Sequence, residues 1–273
     1  MFRRTVPVVT LLLVLAATLP LAARASAAPS AASTRPATAS CGPPIPSRDE
    51  PSHHAPLAAS AVPGYSLAYC NDFTGSSLPW GWDKFSGAPK GDPSSYFEPS
   101  HVVVQNGVVK VETYRDPRRA NDWATGGICQ CGAPRTHGAF FVRSRSVGEG
   151  PDNVELLWPV AKVWPPEVDF NESRAYPLSS TWTVHYAPGD QTVEHQAEVN
   201  LWQWHTWGVF WTPKTLTFTV DGFIWGKVKS RRAIPTGPMT LDIQSQTYCG
   251  IAPECPTAAA SLQVDWVEEF AAK

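Results

Sequence analysis

Trp164-Pro165-Pro166-Glu167-Val168-Asp169-Phe170-Asn171-Glu172 carries three acids within six residues. In a helix, at 100° per residue, Asp169 and Glu172 would stand about 200° and about 140° around the axis from Glu167, and no face would be shared. On a strand Glu167 and Asp169 are two apart and point the same way. Glu172, five along, would point to the opposite face of a regular strand. One extra residue, a β-bulge at Phe170-Asn171, returns it to the side of the other two. Val168 and Phe170 then supply an apolar opposite face, which a solvated acidic loop has no need to build. The segment is expected to be a bulged strand of a sheet covered on its other side.

Such a strand carries chemistry. With the bulge absorbed, Glu167 and Glu172 occupy positions i and i+4, with Cα atoms about 13 Å apart. Glutamates leaning together over Asp169 could bring their carboxyls near the roughly 5–5.5 Å of a retaining glycosidase, while roughly 6.5–9.5 Å would suit an inverting one. Three neighbouring carboxylates do not all ionise cheaply, so a proton is shared and one acid is pushed up. That is what a general acid working near neutral pH requires.

Outward from this segment the chain reads as short strands. Residues 101–105 and 108–113 flank Asn106-Gly107, the strongest two-residue hairpin signal. Further β-rich runs are 140–145, 181–186, 207–211, 216–220, 239–244 and 262–270, separated by Thr212-Pro213-Lys214, Asp221-Gly222 and Thr236-Gly237-Pro238. Helical periodicity is confined to a turn near residues 200–204, and no internal repeat is visible. Residues 64–273 are expected to form one all-β domain, a two-sheet β-sandwich of jelly-roll, concanavalin A-like type.

The rest of the 273-residue chain narrows the class. Lys and Arg number 22 against 24 Asp and Glu, a formal charge of −2, so no basic field favours nucleic acid. Twelve tryptophans against two methionines suggest flat apolar faces of the kind on which sugars stack. Arg3-Arg4, an apolar run over residues 6–21 and small residues around Ala25 form the pattern of a secretory signal peptide, assigned to residues 1–27. The run is short for a membrane span and holds Pro7 and Pro20, so export without a retained anchor is expected. Residues 28–63, with eight prolines among Ala and Ser, are expected to be a linker, in which His53-His54 is solvated. The six cysteines lie beyond the leader, an even count that implies disulfides in an exported chain. Cys249 and Cys255 flank a short loop and are the expected pair; Cys41, Cys70, Cys129 and Cys131 leave three pairings open. Cys129 and Cys131 lack the further ligands of a zinc site.

The chain resembles glycoside hydrolase family 16, the group of laminarinases and related β-glucanases. The family motif E-[ILV]-D-x-x-E appears as Glu167-Val168-Asp169-Phe170-Asn171-Glu172, with the spacing of the bulged, laminarinase-containing branch. Asn71-Asp72-Phe73, residues 138–143, Trp204-His205-Thr206-Trp207, Trp211-Thr212-Pro213, Val220-Asp221-Gly222 and Val264-Asp265-Trp266-Val267 resemble further family blocks in the family's order. The resemblance implies a retaining mechanism with Glu167 as nucleophile, Glu172 as acid/base and Asp169 tuning both. It implies substrate contacts from Trp164, Trp158, His185 and Gln244, with core packing an equal expectation for Trp158 and Trp182. It also admits a structural calcium held partly by Asp265, though no cofactor is required.

Departures accompany the matches: His137 stands where the family usually has Tyr, Phe141 where it has Glu, and Thr125-Gly126-Gly127 lacks a following Arg. The expectation is a secreted, monomeric, retaining endo-β-glucanase acting on β-1,3 or mixed β-1,3/1,4 glucans. A transglycosylase, a galactan hydrolase of the same family and a non-catalytic carbohydrate-binding module remain open.

Overall fold

Asn106 and Gly107 take φ angles of 53° and 74°, the pair of left-handed residues that a two-residue hairpin of matching twist demands. They join Val102–Gln105 to Val108–Asp116 with Gln105 opposite Val108. The computed structural model describes residues 62–89, 94–250 and 255–273. The expected leader, nearly all of the expected linker, Cys41 and His53-His54 lie outside the described residues.

The strands, in chain order, are β1 (Tyr65–Asn71), β2 (Asp83–Lys84), β3 (Val102–Gln105), β4 (Val108–Asp116), β5 (Asp122–Ala124), β6 (Gly127–Cys129), β7 (Gly138–Val147) and β8 (Asp152–Pro159). They continue with β9 (Glu167–Glu172), β10 (Ser179–Tyr186), β11 (Gln191–Glu198), β12 (His205–Trp211), β13 (Leu216–Val220), β14 (Phe223–Val228), β15 (Met239–Gln246) and β16 (Ala260–Ala272). One sheet runs β14-β13-β12-β7-β16-β4-β3, with β1 added to β16 and β5 to β4; the other runs β11-β10-β9-β8-β15-β6-β2. The expected all-β, two-sheet sandwich of jelly-roll type is therefore the fold. Among the described residues no helix is long and apolar enough to cross a membrane.

Alternation builds the layer between the sheets. Val168 and Phe170 of β9, Trp182 and Val184 of β10, Leu157 of β8 and Leu241 and Ile243 of β15 face Phe140, Val142, Trp207, Val209 and Phe218 of the other sheet. Each such side chain withdrawn from water contributes about 1.5–3 kcal/mol. Trp182 belongs here, stacked on Phe218 with centroids 4.5 Å apart, so its role is core packing. A smaller apolar cluster lies on the opposite face of the larger sheet, where Val62, Tyr65 and Leu67 pack with Phe141, Phe210, Trp266 and Phe270. Phe141 makes edge contacts to Phe210 and Phe270, which is why an apolar ring suits this position. Val62 is buried, so the folded unit reaches back at least that far.

The Cys249–Cys255 disulfide forms as expected, and Cys129 pairs with Cys131. Cys70 is disulfide-bonded as well, which leaves no free cysteine among the described residues. Strands β1, β2, β5, β6, β8, β11 and β14 stand beyond the runs identified in the sequence. β11 is an exposed edge whose residues are largely polar. β8 is buried along both faces, which erases the alternation that marks a strand.

One inward residue of β8 is a carboxylate. Glu155 is fully buried, and its Oε2 accepts a hydrogen bond of 2.7 Å from Asn171 Nδ2. Asn171 Oδ1 in turn accepts one of 2.6 Å from Ser180 Oγ. Asn171 is the residue that follows the extra position of the bulge, so the trio secures the irregularity from beneath. Burial pushes Glu155 up to about 7, against an ordinary value of 4.5, with Ser144 and Asn171 opposing. Folding therefore favours the protonated form. No penalty falls on the fold below pH 4.5, and one of about 3 kcal/mol is complete above pH 7. Relative to the unaltered chain, Glu155→Gln should gain about that much stability between pH 4.5 and 8. Urea denaturation across this range tests it, and parallel stability curves would contradict it.

Candidate active site

The bulge lies where the spacing of the acids requires it. Across β9–β10, Thr181 opposes Glu172 and Thr183 opposes Asp169, so two steps of β10 face three of β9. Across β8–β9, Glu155 opposes Asn171 and Leu156 opposes Asp169. Phe170 is the extra residue, buried in the core. Glu167, Asp169 and Glu172 consequently share the face of β9 that points away from the other sheet.

The same registers arrange the surrounding wall in rows. His185 is the cross-strand partner of Glu167. One step beyond the Leu157–Val168 pair, Trp158 lies on the other side of Glu167 and itself opposes Thr240. The next row holds Thr183, Asp169, Leu156 and Asp242; the third holds Thr181, Glu172, Val154 and Gln244. Glu167, Asp169, Glu172, Trp158, His185 and Gln244, all singled out in the sequence, are thus brought onto one surface.

Hydrogen bonds orient the acids. Glu167 Oε2 accepts a bond of 2.6 Å from the indole Nε1–H of Trp164, and the Trp164 ring leans on the imidazole of His185 with centroids 5.5 Å apart. Trp164 keeps 40% of its surface exposed, enough to meet a ligand. His185 bridges two acids, with Nδ1 2.7 Å from Asp190 Oδ1 and Nε2 3.5 Å from Asp169 Oδ2. Asp169 Oδ1 is buried with no hydrogen-bond partner among the described residues. One ligand-type atom each of Glu167, Asp169 and His185 lies within 4.8 Å of the others.

Burial, with the charge of Asp169 adding, pushes Glu167 well up, while the Trp164 N–H holds it down. Burial likewise pushes Asp169 well up, with the charges of Glu172 and Asp152 adding. The pair therefore retains a proton where ordinary carboxylates have lost theirs. Glu172 has a different setting. Its Oε2 accepts bonds from Thr183 Oγ1 at 3.1 Å and Arg174 Nε at 3.0 Å, and Arg174 Nη2 continues to Glu194 Oε2 at 2.7 Å. Arg174 and Ala175 take left-handed φ angles of 45° and 65°, in a turn tied down by Arg174 N–H to Asp152 Oδ1 at 2.7 Å. The turn folds the guanidinium back over the last acid.

Asp265 is the exception. It lies on β16 in the other sheet, at an irregularity between Val264 and Trp266, with Oδ2 3.7 Å from Arg143 Nε. Arg143 is fastened by Nη1–H to Thr206 Oγ1 at 3.0 Å. Asp265 and Arg143 thus form an ion pair across neighbouring strands of the larger sheet. Arg174, Thr183, Asp190 and Asp242 were not singled out in the sequence. The alternation Thr240-Leu241-Asp242-Ile243-Gln244 was the one signal that could have pointed to Asp242.

The sequence profile described as Glycosyl hydrolases family 16 matches residues 95–268. No curated protein matches the chain by sequence. Among solved structures, the chain is similar to SCLam, a non-specific endo-β-1,3(4)-glucanase, at 19% identity and a TM-score of 0.68 over 80% of this chain and 95% of that one. The endo-β-1,3-glucanase of Pyrococcus furiosus aligns at 18% identity and a TM-score of 0.65 over 76% of this chain and 94% of that one. The laminarinase of Rhodothermus marinus aligns at 21% identity and a TM-score of 0.66 over 76% and 97%.

Proposed function

The chain belongs to glycosyl hydrolase family 16, and from that premise we propose that it is a secreted endo-β-glucanase cleaving β-1,3 linkages, mixed-linkage glucans included, with retention of configuration. The observation that carries the reading is the shared face of Glu167, Asp169 and Glu172, produced by one extra residue in β9. Glu167 attacks the anomeric carbon to form a glycosyl-enzyme while Glu172 protonates the departing oxygen; Glu172 then takes a proton from the water that releases the sugar. Asp169 holds a proton beside Glu167, which allows the nucleophile to be anionic without a second bare charge next to it. Trp164 directs Glu167 through its indole N–H and offers its ring to a sugar. The β-glucan substrate class draws support from SCLam, a mutant of which holds a 1,3-β-D-cellobiosyl-glucose at its active site. Export rests on the pattern of residues 1–27.

The test is incubation with laminarin, lichenan, xyloglucan and a galactan, followed by reducing-end assay, product sizing and NMR of the first anomer formed. Internal cleavage of laminarin with the β-anomer appearing first is expected. Lengthened products would identify a transglycosylase, and binding without products a carbohydrate-binding module.

A further inference from the structure

Thr240, Asp242 and Gln244 alternate with the core residues Leu241 and Ile243, and so line the same wall as the three acids. Asp242 opposes Leu156, and Leu156 opposes Asp169. The Asp242 backbone is thus in the row of Asp169, two strand spacings or about 10 Å away. Its other cross-strand neighbour is Cys129, closed into a disulfide with Cys131. The side chain is 6% exposed. Its Oδ1 accepts a bond of 2.8 Å from Thr240 Oγ1, and its Oδ2 makes none among the described residues. Neither flanking strand has a Lys or Arg to neutralise it: β8 reads Asp-Asn-Val-Glu-Leu-Leu-Trp-Pro and β6 reads Gly-Ile-Cys. The acids nearest along the wall are Glu167 and Asp169 beyond β8 and Asp83 beyond β6.

We propose that Asp242 is a substrate-recognition residue, whose free carboxyl oxygen hydrogen-bonds a hydroxyl of the glucan unit lying over Leu156, next to the unit being cleaved. An enclosed acid with no cation beside it is costly as a purely structural element, and only its Oδ1 is taken up by a protein donor. A sugar hydroxyl, both donor and acceptor, completes it. Burial, with the charge of Glu167 adding, pushes Asp242 up to about 8. At neutral pH the carboxyl is therefore protonated and offers an O–H donor as well as an acceptor, as a polar group on a sugar-binding wall should. Thr240 fixes the rotamer by occupying Oδ1.

The proposal rests on the β-glucanase reading, and the experiment separates the two. In the full chain carrying Glu167→Gln, binding of oligosaccharides of the glucan that the unaltered chain cleaves is measured by calorimetry, with and without Asp242→Leu. Losing this bond should weaken binding roughly 10- to 100-fold. Asp242→Asn, which keeps a donor and an acceptor, should recover at least about tenfold of that loss. In the Glu167-containing enzyme the Leu variant should raise KM far more than it lowers kcat, with a thermal melt at neutral pH that does not fall, since the raised carboxyl no longer draws on stability. Equal affinity of the Glu167→Gln and Glu167→Gln/Asp242→Leu chains overturns the role of Asp242 while the catalytic reading stands. Failure of the unaltered chain to cleave or bind any β-glucan overturns both.

Discussion

Glu167→Gln should lower glucan hydrolysis on the order of 10⁴-fold or more while the chain folds as before. The substitution preserves size and shape at the first position of β9 and leaves an oxygen to accept the Trp164 N–H. An amide cannot form the glycosyl-enzyme bond, so the two-step route closes at its first step. Stability should not fall at neutral pH. Burial and Asp169 already oppose ionisation of this carboxyl, and a group whose folded value is raised withdraws stability as pH climbs through it. Replacing it with a neutral isostere removes that penalty. The same shift predicts that in the unaltered enzyme kcat/KM climbs with pH above the ordinary carboxylate range, as the Glu167–Asp169 pair passes from two protons to the single one that leaves Glu167 anionic. Reducing-end assays beside a thermal melt at pH 7 and pH 5 measure both effects. Full activity in the Gln variant would refute the nucleophile assignment.

The bulge is legible in the sequence because a strand has a period of two and the acids break it by one residue, between two apolar residues that must face inward. Hydrophobic alternation similarly exposes β10, β12, β15 and β16. It fails for β8, where Leu156 is buried on the site face and Glu155 on the core face. It fails again for β11, an edge with little apolar surface to bury. Arg174 lies two residues beyond Glu172, and only a left-handed turn pinned by Asp152, some twenty residues earlier, folds it back. No spacing rule announces that. The ion pair of Asp265 with Arg143 is hidden in the same way: the two come from different strands, and cross-strand partners are what a single sequence does not show. Val62 was assigned to the linker by composition, which does not register that one apolar residue completes a cluster built by β1, β7 and β16.

Glu172→Ala should slow glucan hydrolysis by about 10²–10⁴-fold, the range of a single general acid–base group, and should largely spare glycosides with good leaving groups in the first step. A glucan leaves as an alkoxide unless a proton arrives with bond breaking, whereas a dinitrophenolate needs none. Attack by Glu167 does not involve Glu172 directly, so glycosyl-enzyme formation from an activated substrate should survive, with its breakdown becoming slow for want of a base. A burst of dinitrophenol followed by a slow phase is the expected signature, and an added small nucleophile such as azide should speed the second phase. Folding should tolerate the change. The Glu172 side chain is 18% exposed, and the Arg174 guanidinium, 37% exposed, keeps Glu194 at 2.7 Å when the acid is gone. No buried charge is left uncompensated, in contrast to the usual outcome of removing one partner of a buried pair. Equal losses on glucan and on the activated glycoside would mean that Glu172 acts through the shape of the site; the Arg174–Glu194 pair would then be the group to examine as its organiser.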